Sequence, residues 1–106
     1  MTPTVDFHPE AVEEARSALV WYRERSPAAA GAFVVELDGA ITNIAESPDR
    51  WPEYRHGTRR YLMHRFPFLV VYRVFRAAVQ VIAVAHARRR PRYWSARLEV
   101  EPTEKK

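Results

Sequence analysis

The second half of the chain concentrates cationic and aromatic side chains of the kinds that bind or cleave a phosphate backbone. Arginine forms bidentate contacts with phosphate or carboxylate, histidine transfers protons near neutral pH, and aromatic rings stack on unpaired bases. These residues flank or lie within three β-rich runs: Arg55, His56, Arg59, Arg60, His64, Arg65, Arg73, His86, Arg88, Arg89, Arg90, Tyr93 and Trp94. Their types and spacing predict a surface that binds an anionic partner.

Charge is divided unevenly along the chain, whose net charge is +4. Residues 1–53 hold 4 Arg and no Lys against 10 acidic residues, whereas residues 54–106 hold 11 Arg and 2 Lys against 3 Glu. A genome that prefers arginine codons would explain the excess of arginine over lysine, but it would not separate the charges. The asymmetry therefore favours an anionic partner for the second half.

Each of these residues also has a purely structural interpretation. A single arginine on an edge strand is commonly a solvated charge that keeps the edge from aggregating. Tyr93 and Trp94 also fit a C-terminal lid over the core, and His86 fits a hydrogen-bonded histidine of the sheet. The functional interpretation rests on the cluster as a whole, because nearly all the cationic charge falls on a few adjacent strands.

Periodicity predicts the elements that position these side chains. Helix-start signals at His8-Pro9 and Ser26-Pro27, followed by apolar residues every three or four positions, predict a helical hairpin. A period of two then predicts three strands with turns at residues 66–67 and 76–78. The predicted elements are a strand over residues 5–7, helices over residues 9–25 and 27–46, and strands over residues 58–65, 68–75 and 79–86. The sequence thus predicts an α+β fold, β-α-α-β-β-β, with the N-terminal strand and helical hairpin packed on a small antiparallel sheet.

Alternation assigns strand residues to the two faces of this sheet. It places Arg73 on the same face as Leu69 and Val71 in the central strand. In the last strand it places Ile82 and Val84 together with His86.

Composition excludes several kinds of site. The chain has no cysteine and only 3 glycines, so disulfides, thiolate metal sites and a glycine-rich phosphate loop are all excluded. The four histidines lack the spacing of a helical metal pair, and we predict no metal and no cofactor. No stretch approaches about 18 consecutive apolar residues, so we expect a cytoplasmic protein without a membrane partner. Residues 1–98 are predicted to form one domain, and residues 99–106 a disordered polar tail.

The order of elements and several short motifs resemble the RelE/ParE superfamily of type II toxins. The resemblance covers roughly residues 4–94 and rests on the runs at residues 68–74 (FLVVYRV), 81–89 (VIAVAHARR), 46–48 (ESP) and 51–52 (WP). It implies a bacterial growth-inhibiting toxin that is neutralised by a cognate antitoxin, usually encoded beside it. It also implies that the C-terminal segment of the antitoxin folds on the toxin, by helix packing or strand addition.

The resemblance implies one of two mechanisms. One branch of the superfamily consists of ribosome-dependent mRNA endoribonucleases that need no metal, and the other inhibits DNA gyrase by binding. The arginine that RelE-type nucleases carry at the start of the central strand falls at Leu69 here. Their strand-two lysines fall near Arg60 and Leu62, and their last-strand arginine falls near Ala87, beside Arg88. These departures favour the gyrase-binding branch.

Two sets of site residues follow from these alternatives. As a binding protein, the chain is expected to contact its target or antitoxin through Arg59, Arg60, Arg65, Arg73, Arg88, Arg89, Arg90, Tyr93 and Trp94. As an endoribonuclease, it would use Arg60, Arg73, His86, Arg88 and Tyr93, with Tyr93 matching the C-terminal tyrosine of the nucleases. A third hypothesis is a non-toxic module that binds nucleic acid in a salt-sensitive manner.

Overall fold

The computed structural model describes residues 3–99, apart from the side chain of Pro91. Its elements are β1 (Val5–Phe7), α1 (Pro9–Arg25), α2 (Pro27–Glu46), β2 (Arg59–Leu62), β3 (Phe68–Phe75), β4 (Ala78–His86), and two 3₁₀ segments, Arg55–Gly57 and Pro91–Glu99. Sequence periodicity did not predict the second of these, which we call the C-terminal segment. The predicted disordered tail begins at the last residue of this segment, and its remaining residues lie outside the described range.

The four strands form one mixed sheet in the order β1-β4-β3-β2. Strands β2, β3 and β4 are antiparallel neighbours, whereas β1 pairs with β4 in parallel over Val79, Gln80 and Val81. The predicted α+β class and element order are confirmed. The parallel pair arises because the helical hairpin and the β2–β3 hairpin intervene between β1 and β4.

Capping residues set the boundaries of the helical hairpin. Ser26 serves both helices, since its N–H donates to the carbonyl of Tyr22 at 2.7 Å and its Oγ accepts from the N–H of Ala29 at 3.1 Å. Pro27 then occupies the first turn of α2, where its missing N–H costs nothing. Ser47 caps the other end of α2. The predicted helix ends are therefore confirmed.

Helix α2 is long and apolar enough, by length and composition alone, to cross a membrane. Core helices satisfy the same criterion, and Glu36 and Asp38 interrupt the apolar residues of α2. Its buried residues are Ala30, Phe33, Ala40, Ile44 and Ala45. This stripe packs in the core, whereas Val34 and Val35 of the same helix are exposed.

Hydrophobic clusters cover both faces of the sheet. The helix-facing cluster contains Ala11, Ala40, Ile44, Tyr61, Val70, Tyr72, Val79, Val81 and Val84. The opposite-face cluster contains Val71, Ile82, Ala83, Ala85 and Trp94. The C-terminal segment therefore supplies the covering layer of the face that the helices leave open.

A β-bulge in β4 places Ile82 on the opposite face of the sheet from the one predicted. Val71 pairs with Ala83 and the next residue, Tyr72, pairs with Val81, so Ile82 is the extra residue. Ile82 consequently packs in the opposite-face cluster, whereas Val84 packs in the helix-facing cluster. The prediction that alternation places Ile82 beside Val84 and His86 is wrong, because the bulge shifts the alternation by one position.

A two-residue turn joins β3 to β4 without the glycine or asparagine that such turns prefer. Arg76 and Ala77 have φ values of 53° and 66°, and positive φ at both positions is the requirement of a type I′ hairpin turn. The predicted turn is confirmed. Its conformation matches the right-handed twist of the flanking strands.

The N-cap of α1 makes stability depend on pH. His8 Nδ1 accepts the N–H of Glu10 at 3.1 Å, so the capping ring must be neutral at that nitrogen. Burial, followed by the charge of Arg97, lowers the pKa of His8 from its ordinary value of 6.5. The contribution of His8 to stability is therefore complete above pH 6.5 and is lost as pH falls through the lowered pKa.

We expect His8→Asn to remove this pH dependence, since asparagine caps equally well and does not titrate. Relative to this variant, the unaltered chain should lose about 1 kcal/mol of unfolding free energy on acidification, because an N-cap hydrogen bond usually contributes about that much stability. Urea unfolding at mildly alkaline and mildly acidic pH measures the difference. Parallel pH profiles for the two proteins would contradict the prediction.

Candidate functional site

Arg73 lies on the opposite face near the end of β3, paired with Gln80 of β4, and is engaged in holding the fold together. Its Nε donates to Gln80 Oε1 at 2.8 Å, and its Nη1 donates to the carbonyl of Leu98 at 3.0 Å. The guanidinium also lies 5.1 Å from the ring centroid of Phe75. Arg73 therefore anchors the end of the C-terminal segment to the sheet.

The predicted cations of β2 and the following loop lie along the outer edge of the sheet. Arg59 donates from Nη1 to the carbonyl of Trp51 at 2.6 Å and pairs with Glu53 at 3.5 Å. Arg60 is exposed, with its guanidinium 5.1 Å from the ring centroid of Tyr54. Arg65 is exposed and lies 3.8 Å from Glu36. Arg59 thus fixes the preceding loop, while Arg60 and Arg65 remain at the surface.

The turn after β4 displays three consecutive arginines. Arg88 and Arg90 are exposed, and Arg89 lies flat over Tyr93, 3.7 Å from the ring centroid. His86 Nδ1 accepts the N–H of Arg88 at 3.1 Å. These contacts tie the arginine turn to the end of β4 and to the C-terminal segment.

The two C-terminal aromatic residues are largely structural. Trp94 is only 1% exposed within the opposite-face cluster, which is the lid arrangement that the sequence left open. Tyr93 is half-buried between the guanidinium groups of Arg89 and Arg97. Burial, followed by the nearby charge of Glu14, raises the pKa of Tyr93 far above its ordinary value of 10.0. A pKa so far above neutral pH makes the phenol a weak proton donor and leaves no phenolate to act as a base.

An ion pair that sequence reasoning missed joins α1 to the C-terminal segment. Arg97 Nη2 donates to Glu14 at 2.8 Å, while Nη1 donates to the carbonyl of Ile82 at 2.9 Å. The other partner of this pair, Glu14, accepts the N–H of Val84 at 2.9 Å. Although burial lowers the pKa of Arg97, the hydrogen bonds and charge of Glu14 outweigh it and raise that pKa. No local signal marks the pair, since 83 positions separate its members.

A groove of about 870 Å³ lies between α1 on one side and β4 with the C-terminal segment on the other. Its α1 wall runs from Glu10 to Tyr22, and the Glu14–Arg97 pair lies in this groove. His86 and Arg89 stand at the opposite wall. Apolar side chains from both walls make it suited to a peptide rather than to a small polar solute.

The structure brings part of the predicted nuclease set together, since His86 accepts the N–H of Arg88 and lines the groove with Tyr93, whereas Arg60 and Arg73 make other contacts. Arg60 and Arg73 contact Tyr54 and Leu98, which pack on the opposite-face cluster. His86 instead packs edge-on against Phe68, 5.3 Å between ring centroids, and lines the groove beside α1. Within residues 3–99, no three His, Asp or Glu side chains are grouped so that they could hold a metal ion.

Comparisons with known proteins agree with this architecture. The first solved structure, described as the chromosomal ParDE toxin–antitoxin system from P. aeruginosa, superposes with a TM-score of 0.71 at 16% identity, covering 80% of this chain and 96% of that one. A mutant of the E. coli toxin RelE in the free state gives a TM-score of 0.58 at 22% identity, and the match covers 83% of this chain and 86% of that one. The same mutant toxin in complex with an antitoxin RelBc peptide gives a TM-score of 0.59 at 21% identity, and the match covers 84% of this chain and 87% of that one. Among curated proteins, none matches this chain.

The helical hairpin packed on the mixed sheet is the fold of these toxins, and the resemblance to the RelE/ParE superfamily that the sequence motifs predicted is confirmed. At these identities the superpositions establish the fold alone. A sequence-family model is more specific. The model described as the ParE toxin of the type II toxin–antitoxin system parDE matches residues 5–91 of this chain. The chain therefore belongs to the ParE toxin family.

Proposed function

We propose that the chain inhibits bacterial growth by binding DNA gyrase in the cytoplasm, without cleaving RNA, and that a cognate antitoxin neutralises it. The observation that carries the proposal is the engagement of Arg73 with Gln80 and the Leu98 carbonyl. A catalytic cation must point at the position where charge develops on the phosphate. Arg73 points instead into the fold, and Leu69 stands where the related nucleases carry an arginine.

Magnitudes support binding over cleavage. Removing one preorganised charge-stabilising group from an active site commonly lowers the rate by about 10²–10³-fold. A tyrosine whose pKa lies far above neutral pH is a weak proton donor, and burial gives Tyr93 such a pKa. The separation of Arg73 from His86 on different faces would add a further loss of orientation.

The exposed arginines supply the interaction surface in this proposal. Arg88 and Arg90 project from the turn after β4, and Arg60 and Arg65 from the outer edge of the sheet. Their guanidinium groups suit acidic protein surfaces as well as phosphates. A neutralising antitoxin fits the same charge, and the RelE structure with a bound RelBc peptide provides a precedent in a related fold.

Pulse-labelling of DNA and protein synthesis immediately after induced expression tests the proposal. We expect DNA synthesis to fall first, with loss of supercoiling, and we expect Arg88→Glu combined with Arg90→Glu to abolish growth inhibition. The control is Arg23→Glu, which reverses an exposed arginine of α1 outside the arginine turn. An early fall in protein synthesis with cleaved mRNA would establish the endoribonuclease alternative instead. Salt-sensitive nucleic-acid binding without any growth effect would establish the non-toxic alternative.

A further inference from the structure

Helix α2 carries a second row of residues on the side that points away from the core. Members of this row recur every three or four positions, as the residues of one helix face do, and all of them are exposed. The core residues Phe33, Ala40 and Ile44 lie on the other side of the helix. We call this row the outer face of α2, and its members are Ala28, Gly31, Val35, Gly39, Thr42 and Glu46.

The outer face of α2 is apolar, although it is exposed. A surface helix normally presents charged and polar side chains on the side away from the core, whereas Glu46 is the only charged member of this row. Only 28% of the apolar stretch of α2 is buried, and Val35 is 70% exposed. Val34, beside the row, is exposed as well. An exposed apolar surface of this kind marks an interaction site.

The shape of the outer face suits close packing against another helix. Val35 projects between Gly31 and Gly39, which lie one turn away on either side. Among the described residues, nothing beyond the local helix would lie within 4 Å of a Cβ atom added at either glycine. The two glycines therefore form shallow notches in the helix surface, and a side chain of the size of valine fits such a notch.

The charges of α2 are complementary to those of a second α2 that runs antiparallel to it. The first turn of α2 contains no acidic residue, and Glu46 lies at the C-terminal end, where the helix dipole is negative. Both features are unfavourable for a single helix. In an antiparallel pair, Glu46 of each helix lies beside Ala28 in the first turn of the other, where the dipole is positive.

We propose that the outer face of α2 binds the same face of a second copy of this chain, with the two helices antiparallel and related by a twofold axis. Because α2 runs from Pro27 to Glu46, the helices overlap almost fully when the axis passes at the level of Leu37. In this register, Val35 of each copy lies in the notch at Gly39 of the other. Such a contact is isologous, so one apolar row supplies both halves of the interface.

A second copy explains the charges of α2 better than a bilayer surface does. Membrane surfaces attract Lys and Arg, whereas α2 contains Glu36, Asp38 and Glu46 and no basic residue. Its core side packs against the sheet through Ala40 and Ile44. The inference goes beyond the proposed function, since it does not depend on which cellular target the chain binds.

Two acidic residues of α2 should affect self-association in opposite directions. Asp38 lies on the flank of the outer face, one residue from the level of the axis, so the symmetry brings the two Asp38 carboxylates close together. Since like charges repel, Asp38→Asn should strengthen the dimer by about twofold or more. Glu46→Gln should weaken it by about threefold or more, because two attractions to a helix N-terminus are lost. Glu13→Gln, on the groove side of α1, is the control and should change little.

Sedimentation velocity of the purified full-length chain, over a range of concentrations, measures the association. Val35→Asp should weaken the dimer by at least about tenfold, whereas Val20→Asp changes a 39% exposed valine of α1 and should weaken it by less than about twofold. Gly39→Leu should also weaken the dimer by at least about tenfold. Leucine favours a helix more than glycine does and has free space there in a single chain, so this variant keeps its fold. Circular dichroism verifies that each variant is folded.

Disulfide cross-linking tests the register. The chain contains no cysteine, so introduced thiols have no native partner. Under mild oxidation, Val35→Cys combined with Gly39→Cys should give a disulfide-linked dimer, because each cysteine then faces one of the other copy. The control is Val20→Cys combined with Glu24→Cys, which has the same spacing on α1 and should stay monomeric on a non-reducing gel.

The outcomes are decisive for this inference and separate it from the proposed function. A monomer at every concentration would overturn the inference, and so would a dimer that Val35→Asp and Gly39→Leu leave intact. If the chain is monomeric and Val35→Asp instead weakens binding to the antitoxin, or to vesicles of phosphatidylglycerol and phosphatidylethanolamine, that partner covers α2 and the inference is wrong. Growth inhibition and its dependence on Arg88 and Arg90 are measured separately and stand or fall without the dimer.

Discussion

Glu14→Gln is expected to lower the free energy of unfolding by about 3 kcal/mol, because it leaves a buried guanidinium without its main counter-charge. The Arg97 side chain is only 8% exposed and that of Glu14 only 17%. Breaking a buried pair by removing one partner typically costs about 3–5 kcal/mol. The lower end applies here, since Glu10 also lies 3.2 Å from Arg97 and retains its charge.

The choice of glutamine separates charge from hydrogen bonding. Glutamine keeps an oxygen that accepts the N–H of Val84, whereas Glu14→Ala removes this acceptor as well. The alanine variant should therefore lose about 1 kcal/mol more than the glutamine variant. Replacing Glu14 and Arg97 together by apolar residues should not restore stability fully, because the carbonyl of Ile82 and the N–H of Val84 would both lose their partners.

Thermal and urea unfolding measure these differences, and we expect the melting temperature of Glu14→Gln to fall by roughly 10–20 °C. The neighbouring Glu13 provides the control. It pairs with Arg16 at 3.4 Å, but both side chains are more than 60% exposed. Glu13→Gln should therefore change stability by less than about 0.5 kcal/mol. Equal losses at Glu13 and Glu14 would show that general helix charge, and not the buried pair, is responsible.

The parts of the fold that local chemistry determines could be predicted from the sequence. Ser26 followed by Pro27 marks a helix boundary whatever the rest of the chain does, because the capping bonds span only three or four positions. The strands of the second half follow from their period of two. The predicted first strand of this set, residues 58–65, was too long, because in the structure β2 ends at Leu62.

The parts that depend on distant contacts could not be predicted. The bulge at Ile82 has no signal in an unbroken apolar run such as VIAVA (residues 81–85), since every register of that run is equally hydrophobic. The Glu14–Arg97 pair has no local signal either, because 83 positions separate its members. The same is true of the candidate site, where local sequence predicts some features and distant contacts determine the others. The exposure of Arg88 and Arg90 follows from the turn, but the engagement of Arg73 depends on a C-terminal segment that periodicity did not predict.

Trp94→Ala is expected to lower the free energy of unfolding by about 3–5 kcal/mol, because the indole is a core residue and not an exposed stacking platform. Trp94 is 1% exposed and packs with Val71, Ile82, Ala83 and Ala85. Its removal would leave a large cavity beneath the C-terminal segment, on the face where Arg73 holds that segment. Unfolding transitions monitored by circular dichroism measure the loss.

Trp21→Ala is the matched control, since the same side chain is 51% exposed on α1 and should cost less than about 1 kcal/mol. The comparison also decides how growth inhibition by Trp94 variants should be interpreted. If Trp94 contacts the target directly, Trp94→Ala would abolish inhibition while leaving the unfolding transition near that of the unaltered chain. If Trp94 acts as the core of the lid, Trp94→Phe should recover most of the stability and the growth inhibition together, because a smaller aromatic ring still fills most of the space. We expect the second result, which would place the target-binding surface on the exposed arginines rather than on the aromatic residues beside them.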